Sequence, residues 1–350
     1  MKLKNNKHIP LDKFIDLSLY HPQKGFYMKK NPIGKKGDFI TSPNISILFS
    51  EMIAIWIVAF WENLNCPKKM NIVELGGGNG EMLKQILSSS EKFPDFNKSC
   101  NFFIHEKSPF LVKIQKLRLG KSKVIWIKNF KHLNNCPTIF IANEFFDALP
   151  IKQFIKKKNK WYERNIKYSK SSKAKILDLL TTVKKLETKV GFKISSGQKF
   201  IEFSPLSLKY LKYISKSIKL NNGGLLIIDY GYLDKQMKNT LKSISKHKFN
   251  DVLENFGKSD ISHDLNFKLI EKIVNMLGLK VNGITSQKYF LEKLGILERA
   301  ELISKDVPFS EKANIYFRLK KLIDINEMGH LFKVMFVTKK NMNFKTGFQN

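Results

Sequence analysis

Short apolar runs alternate with amphipathic segments along the chain from residue 71 onward. The runs are rich in Ile, Val and Phe, and they predict buried strands at residues 71–75, 101–106, 123–127 and 137–142. Between them, residues 81–88 and 110–119 place apolar side chains at helical spacing. Parallel strands need such crossover helices, so the alternation predicts an α/β, Rossmann-like fold with a mostly parallel sheet and helices on both faces.

The alternation stops after residue 150 and resumes with a buried strand at residues 223–231. An inserted α+β subdomain is predicted in between, with a polar hairpin (153–155 and 161–163), a Lys-rich helical stretch (173–190), a strand (198–203) and a helix (205–220). Residues 232–262 are polar with weak periodicity, which predicts a long loop over the functional site.

These boundaries divide the 350-residue chain into four parts. We expect residues 1–66 to form an N-terminal helical segment with a loop that covers the substrate or the cofactor. Residues 67–150 form the first half of the core, and residues 151–220 form the insertion. Residues 221–350 form the second half of the core, with a covering loop and C-terminal helices and strands. The longest apolar run, residues 51–61, predicts a buried helix because it is too short to span a bilayer.

A glycine-rich turn follows the first predicted strand, and it is the most informative feature of the chain. Gly76, Gly78 and Gly80 alternate with other residues, and Glu74 lies two residues ahead of them. The dinucleotide pattern G-x-G-x-x-G is absent, because Glu81 stands where its third glycine should be. A nearby acid disfavours a phosphate and favours a cation, so these residues predict an S-adenosylmethionine loop. The alternative is an ordinary tight turn.

A carboxylate ends the next predicted strand, at Glu106. In nucleotide-binding folds an acid about 20 residues beyond the glycine loop binds the ribose hydroxyls, so we predict that role for Glu106. The alternative is a solvated strand end. Ligands of such sheets bind beyond the carboxyl ends of the strands. We therefore expect the glycine loop, Glu106 and the loop at residues 143–150 to lie at one rim.

Three polar residues crowd the end of the fourth predicted strand. Asn143, Glu144 and Asp147 are predicted to be catalytic, because methyl transfer depends mainly on holding the acceptor in line with the methyl group. Carboxylates can orient a nitrogen-bearing acceptor by charge-assisted hydrogen bonds and can take up its proton. Alternatively, Glu144 and Asp147 cap the next helix.

Two further clusters complete the predicted site. Thr41 and Ser42 are assigned to the cofactor and Asp38 to the substrate, although all three are also typical turn and capping residues. Asp229 and Tyr230 end the strand at residues 223–231 and are assigned to the substrate. The histidines have no metal-ligand spacing and no G-x-S-x-G motif occurs, so neither a metal site nor a serine hydrolase is predicted.

Charge and cysteine content limit the possible functions. The net charge is +32, but nearly all the cations are Lys, and Arg occurs only at positions 118, 164, 299 and 318. Arg is preferred where phosphates or bases are bound in a bidentate manner, so a nucleic-acid partner is possible but is not the first expectation. Three well-separated cysteines indicate neither a disulfide framework nor a zinc site, and they suggest a reducing compartment.

Several motifs in this order resemble the MidA-like S-adenosylmethionine-dependent methyltransferases, whose mitochondrial members help assemble respiratory complex I. The resembling segments are residues 20–27, 37–56, 73–80, 143–150, 229–231, 259–267 and 287–291, with Gly295 and Ile296. The resemblance implies a class I methyltransferase fold, S-adenosylmethionine as cofactor and a protein substrate. It further implies symmetric dimethylation of an arginine in the complex I subunit homologous to the 49 kDa chain.

The chain departs from the family pattern at the glycine loop, which usually reads Gly-Pro-Gly-Arg-Gly-Thr. Here Gly77, Asn79 and Glu81 replace the proline, the arginine and the threonine. Asn44 occupies a position where the family usually has a Glu, Ser50 one where it has a glycine, and Tyr232 one where it has a His. Glu74 and the three alternating glycines are retained, so we expect cofactor binding to be retained.

Two alternative functions stay open at this point. The basic surface allows an RNA methyltransferase, and the altered loop allows a non-enzymatic assembly factor that keeps the fold. The basic N-terminus is followed by Pro10 and has no apolar signal core, so we expect a bacterial cytoplasmic location, or the mitochondrial matrix in a eukaryote. No membrane span is expected, and the sequence predicts no oligomeric state.

Overall fold

The computed structural model of the protein describes residues 8–29, 32, 34, 37, 41–133, 135–167, 174–245 and 248–348. The strands of these residues are β1 His8–Pro10, β2 Met70–Leu75, β3 Cys100–His105, β4 Val124–Ile127, β5 Thr138–Asn143, β6 Lys152–Lys157, β7 Lys160–Lys167, β8 Lys175–Thr181, β9 Phe200–Phe203, β10 Gly223–Tyr232, β11 Lys242–Ser245, β12 Lys248–Asn250, β13 Asp260–Ser262, β14 Leu265–Asn266, β15 Leu279–Ser286 and β16 Phe332–Lys339. The helices are α1 Leu11–Tyr20, α2 Ser42–Ile45, α3 Ile47–Asn63, α4 Glu81–Ser90, α5 Pro94–Ser99, α6 Pro109–Leu119, α7 Lys184–Val190, α8 Pro205–Asn221, α9 Phe267–Met276, α10 Gln287–Lys293, α11 Ile296–Ile303, α12 Phe309–Ile323 and α13 Met328–Leu331.

The main sheet contains β4, β3, β2, β5, β10, β16 and β15 side by side in that order, with the short β14 paired to β10. Neighbours from β4 to β10 are parallel, whereas β16 is antiparallel to both β10 and β15. Numbered by their appearance in the chain, the seven strands have the order 3-2-1-4-5-7-6. The order reverses between β2 and β5, and ligands of open α/β sheets bind beyond the carboxyl ends of strands at such a point.

Alternate side chains of the sheet enter two separate cores. Along β2, Met70 and Ile72 pack into one core with α3 and α4, whereas Val73 and Leu75 pack into the other with α8 and α9. This alternation is the two-residue period of a strand that is covered on both faces. The predicted α/β fold with helices on both faces is therefore confirmed.

Side-chain caps start the helices that follow two of the strands. Ser108 accepts a hydrogen bond from the Leu111 N–H at 3.1 Å and opens α6, directly after β3. Ser204 accepts one from the Ser207 N–H at 3.1 Å and opens α8, directly after β9. Such caps satisfy N–H groups that the first turn of a helix leaves unpaired. Because β3 ends at His105 and α6 begins at Pro109, Glu106 lies in the short connection between them at the rim of the sheet.

The predicted buried helix at residues 51–61 lies within α3 and is confirmed. Trp56 is at its centre, and its ring lies 4.7 Å from the ring of Phe336 and 5.5 Å from that of Phe344. Its indole N–H donates to the Thr346 carbonyl at 3.0 Å, so the large apolar residue also has its polar atom satisfied. Among the described residues, no helix is long and apolar enough to cross a membrane.

A second sheet, with the order β1-β7-β6-β9 and β8 paired to β7, contains the predicted hairpin as β6 and β7. The helical prediction for residues 173–190 is wrong in its first part, because Lys175–Thr181 is a strand and only Lys184–Val190 is helical. Residues 168–173 lie outside the described residues. Strand β8 forms because β7 offers an open edge, and Lys157 and Asp178 form an ion pair at 2.7 Å that links β6 to it. Short Ile- and Leu-rich runs do not distinguish helix from strand by their periodicity.

A third sheet lies over the rim, and we call β11, β12 and β13 the covering sheet. The predicted long loop at residues 232–262 is therefore wrong in its secondary structure, although this segment does lie over the cavity described below. The strands were missed because they span only three or four residues each, which is too short for a clear alternation.

The four-part division of the chain stays a prediction. The sequence assigns α8 to the insertion, but this helix packs against β5, β10 and β16 of the main sheet. The N-terminal helix α1 packs in a third core with Phe26, Ile151, Ile166 and Ile261, which come from four different segments. Helix α1 therefore lies against both the second sheet and the covering sheet.

Candidate functional site

The carboxyl ends of β2, β3, β5 and β10 open into a cavity of about 580 Å³. The covering sheet and the N-terminal segment complete its walls. The predicted site residues that line it are Thr41, Glu74, Gly76, Gly78, Glu106, Asn143, Glu144, Asp147 and Tyr230. Ser42, Gly80 and Asp229 lie behind this lining, and Asp38 lies outside the described residues.

The glycine loop turns from β2 into α4 with a backbone that side chains would obstruct. Gly76 has φ +68°, and a Cβ there would lie 2.8 Å from the Phe145 ring. Gly80 has φ +82° and is the N-cap residue of α4. Left-handed angles of this kind favour glycine, and the absence of a Cβ lets a ligand approach the backbone. The loop can therefore serve as one wall of a binding site.

Two carboxylates flank the glycine loop, the buried Glu74 and the partly buried Glu106. The Glu74 Oε2 atom is buried and has no hydrogen-bond partner among the described residues. Burial and the neighbouring Glu106 raise the pKa of Glu74 to about 8. Burial also raises the pKa of Glu106 to about 7, against the hydrogen bonds that its carboxylate accepts. Both groups can accept hydrogen bonds from a ligand, and both would be stabilised in the ionised form by a nearby positive charge.

Gln115 of α6 connects these elements, and the sequence analysis missed it. Its Nε2 donates to the Gly78 carbonyl at 2.9 Å and to Glu106 Oε2 at 3.2 Å, while its Oε1 accepts from the Trp126 indole N–H at 2.9 Å. Gln115 is fully buried, and its position on the inner face of a predicted helix was the available signal. A buried amide with all these partners fixes the orientation of Glu106 relative to the loop.

Aromatic side chains form the wall beside Glu106. The Tyr210 ring lies 5.1 Å from Phe145 and 5.5 Å from His105. Burial lowers the pKa of His105, which favours the neutral form of its ring. The Ile127 carbonyl, 3.0 Å from Nδ1, can only accept, which assigns the proton to Nδ1 and leaves Nε2 to accept from the Tyr210 hydroxyl at 2.9 Å. This wall offers flat apolar surface of the kind that a nucleobase packs against.

The polar residues after β5 line the cavity beside the end of β2, and we call this part of the cavity its acidic end. Glu144 has φ +50°, and its Oε1 accepts from the Ser42 N–H at 3.3 Å and from the Asn143 amide at 3.4 Å. Burial, with Asp147 as the next cause, raises the pKa of Glu144 to about 8. Residues 144–150 form turns, so these acids do not cap a helix. A non-glycine residue with positive φ is unusual and is often found at functional sites.

Asp147 completes this acidic end. It is 7% exposed, and its Oδ1 has no hydrogen-bond partner among the described residues. Burial and the charge of Asp260 raise its pKa to about 7, whereas Lys242 acts in the opposite direction. Asn143 likewise has a buried Oδ1 without a partner among those residues. Buried acceptors without donors are costly, so their presence in a cavity lining indicates a ligand that brings donors.

Ser42 and Asp229 support the lining from behind. The Ser42 N–H contacts Glu144 as described, and its hydroxyl donates to Gln287 at 3.4 Å. Asp229 is fully buried and accepts from the backbone N–H groups of Phe146 and Asp147. The structure therefore supports positioning roles for these two residues, whereas the sequence analysis assigned them to direct ligand contacts.

Other cavity residues escaped the sequence analysis because their neighbours are distant in the chain. Asp260 of the covering sheet accepts a hydrogen bond from the Tyr27 hydroxyl at 2.8 Å across 233 positions. Lys242 forms an ion pair with Asp264 at 2.5 Å, and Phe249 lines the cavity while 78% exposed. Tyr27 and Asp260 lie in two of the segments that resemble the family, 20–27 and 259–267, but no site role was assigned to them.

The sheet order, the glycine loop and the flanking carboxylates define a protein of the class I methyltransferase type. The chain belongs to the family described as "Putative S-adenosyl-L-methionine-dependent methyltransferase", whose model matches residues 52–285. The resemblance found in the sequence is confirmed, and S-adenosyl-L-methionine is the cofactor.

Named relatives extend over nearly the whole chain. The chain is 28% identical to the "Protein arginine methyltransferase NDUFAF7, mitochondrial" of Xenopus laevis, over 95% of this chain and 81% of that protein. It is 27% identical to the Homo sapiens protein of the same name, over 95% of this chain and 80% of that protein. A solved structure of a COG1565 superfamily member from Burkholderia thailandensis, bound to S-adenosyl-homocysteine, shares the fold with a TM-score of 0.79 and 21% identity, over 98% of this chain and 89% of that chain.

The residues that line the cavity have the chemistry that this cofactor requires. The unpartnered Glu74 oxygen, the Glu106 carboxylate and the open glycine backbone offer acceptors and space, and the wall around Tyr210 offers an apolar face. Acidic groups at both ends of the cavity suit a cofactor that carries a sulfonium. Which residues contact it stays a prediction, with Glu74, Gly76, Gly78 and Glu106 as the first candidates.

Proposed function

We propose that this methyltransferase is a protein arginine N-methyltransferase that dimethylates its substrate symmetrically. Its proposed substrate is the respiratory complex I subunit homologous to the 49 kDa chain, modified during assembly, as the family resemblance implies. The names of the relatives from Xenopus laevis and Homo sapiens support an arginine acceptor. We expect the protein to act in a bacterial cytoplasm, or in the mitochondrial matrix in a eukaryote.

The acidic end of the cavity is the observation that carries this proposal. Asp147 is buried and Glu144 is partly buried in the cavity lining, and burial raises the pKa of both carboxyl groups. A bound cation would offset the cost of ionising these groups away from water, because an opposite charge at close range favours the ionised form of a carboxyl group. A guanidinium has five N–H donors in a plane and suits several carboxylate oxygens better than a compact ammonium does.

Methyl transfer at this end of the cavity requires that the acceptor guanidinium be oriented and that it lose a proton. S-adenosylmethionine supplies an electrophilic methyl group on a sulfonium. Transfer forms a nitrogen–methyl bond on the acceptor as the sulfur–methyl bond breaks, and the guanidinium gives up one proton. Glu144 is proposed to receive that proton and Asp147 to hold the acceptor in line. A positioned carboxylate contributes about 10²–10⁴-fold to such a step.

The test uses the protein with methyl-labelled S-adenosylmethionine and a lysate of its own organism from which the gene has been deleted. Excess S-adenosylhomocysteine in a parallel reaction serves as the control for enzymatic labelling. The expected result is label in symmetric dimethylarginine on one respiratory-chain subunit, located by mass spectrometry of digested proteins.

Other outcomes would replace the proposal. Label recovered in RNA would indicate a nucleic-acid substrate, and that binding should weaken steeply with salt because counterions are released. Label on a protein residue other than arginine would correct the acceptor. No label in any fraction, despite cofactor binding measured by calorimetry, would indicate an assembly factor without transfer activity.

A further inference from the structure

The covering sheet brings an additional carboxylate to the acidic end of the cavity. Asp260 begins β13 and lines the cavity together with Glu144 and Asp147. The Tyr27 hydroxyl donates to its Oδ1 at 2.8 Å. Tyr27 itself is 9% exposed and stacks on Tyr20, with ring centroids 5.5 Å apart. The carboxylate is thus held at the cavity wall by a buried phenol from a different part of the chain.

We propose that Asp260 is an acceptor-binding residue that, with Asp147, encloses the guanidinium of the substrate and selects it over neutral side chains. This inference rests on the proposed arginine methyltransferase function. The independent observation that points to a ligand is the Asp147 Oδ1 atom, which lies in a residue more than nine-tenths buried and has no partner among the described residues.

Two carboxylates from separate elements suit a planar cation with donors on several edges. Asp147 belongs to the loop after β5, whereas Asp260 belongs to the covering sheet, so the two approach the cavity from different supports. Both carboxylates line the same cavity, and the charge of Asp260 raises the pKa of Asp147. A guanidinium between them would offset this repulsion, whereas a neutral side chain would leave it.

Two lysines that line the cavity, Lys242 and Lys333, already have other partners. Lys242 lines the same cavity and forms an ion pair with Asp264, although its charge also acts on Asp147. Lys333 also lines the cavity, and its ammonium donates to the His330 carbonyl. The acidic groups at this end, including Glu144 and the buried Asp229, outnumber these two lysines. An arginine side chain therefore improves the charge balance of the site.

Tyr27 is assigned as a positioning residue that acts through Asp260. Its hydroxyl orients the carboxylate, and its backbone carbonyl accepts from the Ser108 hydroxyl at 2.6 Å. Ser108 in turn donates its N–H to Glu106 at 2.8 Å. The same aromatic residue therefore connects the acceptor side of the cavity with the proposed cofactor side.

The test measures binding of three pentapeptides to the full chain saturated with S-adenosylhomocysteine. The central residue is arginine, citrulline or lysine between glycines, and citrulline is the neutral isostere of arginine. We compare wild type with Asp260→Asn, Asp260→Glu, Tyr27→Phe and a matched control, Asp234→Asn. Asp234 is 55% exposed, forms an ion pair with Lys238 four residues further along the chain, and is not among the residues that line the cavity.

Wild type is expected to bind the arginine peptide at least tenfold more tightly than the citrulline peptide. Asp260→Asn should remove most of that preference while the affinity for S-adenosylhomocysteine changes less than twofold. Tyr27→Phe should reduce the preference less, Asp260→Glu should retain part of it, and Asp234→Asn should match wild type. A variant that merely destabilised the fold would weaken the binding of all ligands alike and leave the ratio of the affinities for the arginine and citrulline peptides unchanged.

Two results would overturn the inference, and they are distinguishable. If wild type prefers arginine but Asp260→Asn keeps the full preference, the role of Asp260 is wrong and the proposed function stands. If wild type shows no preference for arginine over citrulline, the arginine acceptor is wrong, and the role of Asp260 fails with it.

Discussion

The Asp229 carboxylate accepts a hydrogen bond from the backbone N–H of Asp147 at 3.2 Å. This contact ties the end of β10 to the loop that follows β5, next to it in the sheet. The same Oδ2 accepts from the Phe146 N–H at 3.1 Å, and Oδ1 accepts from the Tyr230 N–H at 2.9 Å. One buried side chain therefore fixes the loop that carries Asp147 and, with it, the acidic end of the cavity.

Asp229→Ala should destabilise the fold and reduce methyl transfer. The substitution leaves three backbone N–H groups without their acceptor, and each buried unsatisfied group costs about 1–3 kcal/mol. We expect the free energy of unfolding in urea to fall by at least about 2 kcal/mol. Asp229→Asn keeps one acceptor oxygen and should lose less. Equal stability of Asp229→Ala and wild type would show that these hydrogen bonds do not hold the loop.

Glu144→Gln should abolish methyl transfer and leave cofactor binding near normal. The amide keeps the size of the side chain and an oxygen for the Ser42 N–H, but it cannot take up a proton. We expect single-turnover transfer to fall by about 10²-fold or more, the scale of a lost general base. Calorimetry with S-adenosylmethionine checks binding, and the exposed Asp234→Asn variant is the control. An unchanged transfer rate would remove Glu144 from the mechanism.

Gly76→Ala should weaken cofactor binding beyond its effect on stability. Its Cβ would lie 2.8 Å from the Phe145 ring, at a φ of +68° that costs about 1–2 kcal/mol for a residue with a side chain. Gly197→Ala is the matched control, because Gly197 has φ +71° and no atom within 4 Å of the added Cβ. Both variants should lose stability, but only Gly76→Ala should lose affinity for S-adenosylhomocysteine. Equal affinities would place the cofactor away from this loop.

Site residues that directly follow an apolar strand could be located from the sequence. Glu106 comes after β3 and Asn143 ends β5, so the parallel-strand rule placed them at one rim with the glycine loop. The strands were predictable here because their apolar runs are four to six residues long and alternate with helical segments and turn residues. The rim was therefore predictable, together with the order in which its residues occur.

Residues that meet through tertiary contacts were not predictable. Tyr27 and Asp260 are separated by 233 positions, and no local period links them. The direct roles predicted for Ser42 and Asp229 are not favoured by their buried positions, because sequence places a residue at a rim without showing which way its side chain points. The strand β8 was predicted as helix because its pairing depends on an edge supplied by β7.

Glu74 should make the cofactor-free protein less stable as the pH rises. Burial, followed by the charge of Glu106, raises its pKa from 4.5 to about 8, so the folded state binds more protons than the unfolded state between these values. The contribution is fully present below pH 4.5 and is lost as the pH rises through 8. A pKa that differs by one between the folded and unfolded states corresponds to about 1.4 kcal/mol of stability.

The measurement is urea unfolding of wild type and Glu74→Gln between pH 5 and pH 9, with Glu91→Gln as the exposed control. His263, whose pKa burial lowers to about 4, acts in the opposite direction below pH 6.5, so the total profile mixes several groups. The difference between wild type and Glu74→Gln isolates one of them. The free energy of unfolding of Glu74→Gln should increase relative to that of wild type as the pH rises, because glutamine has no charge to desolvate. A difference that stays constant over this range would show that Glu74 is ionised in the folded protein at neutral pH, and that a cation or donor already satisfies it before the cofactor binds.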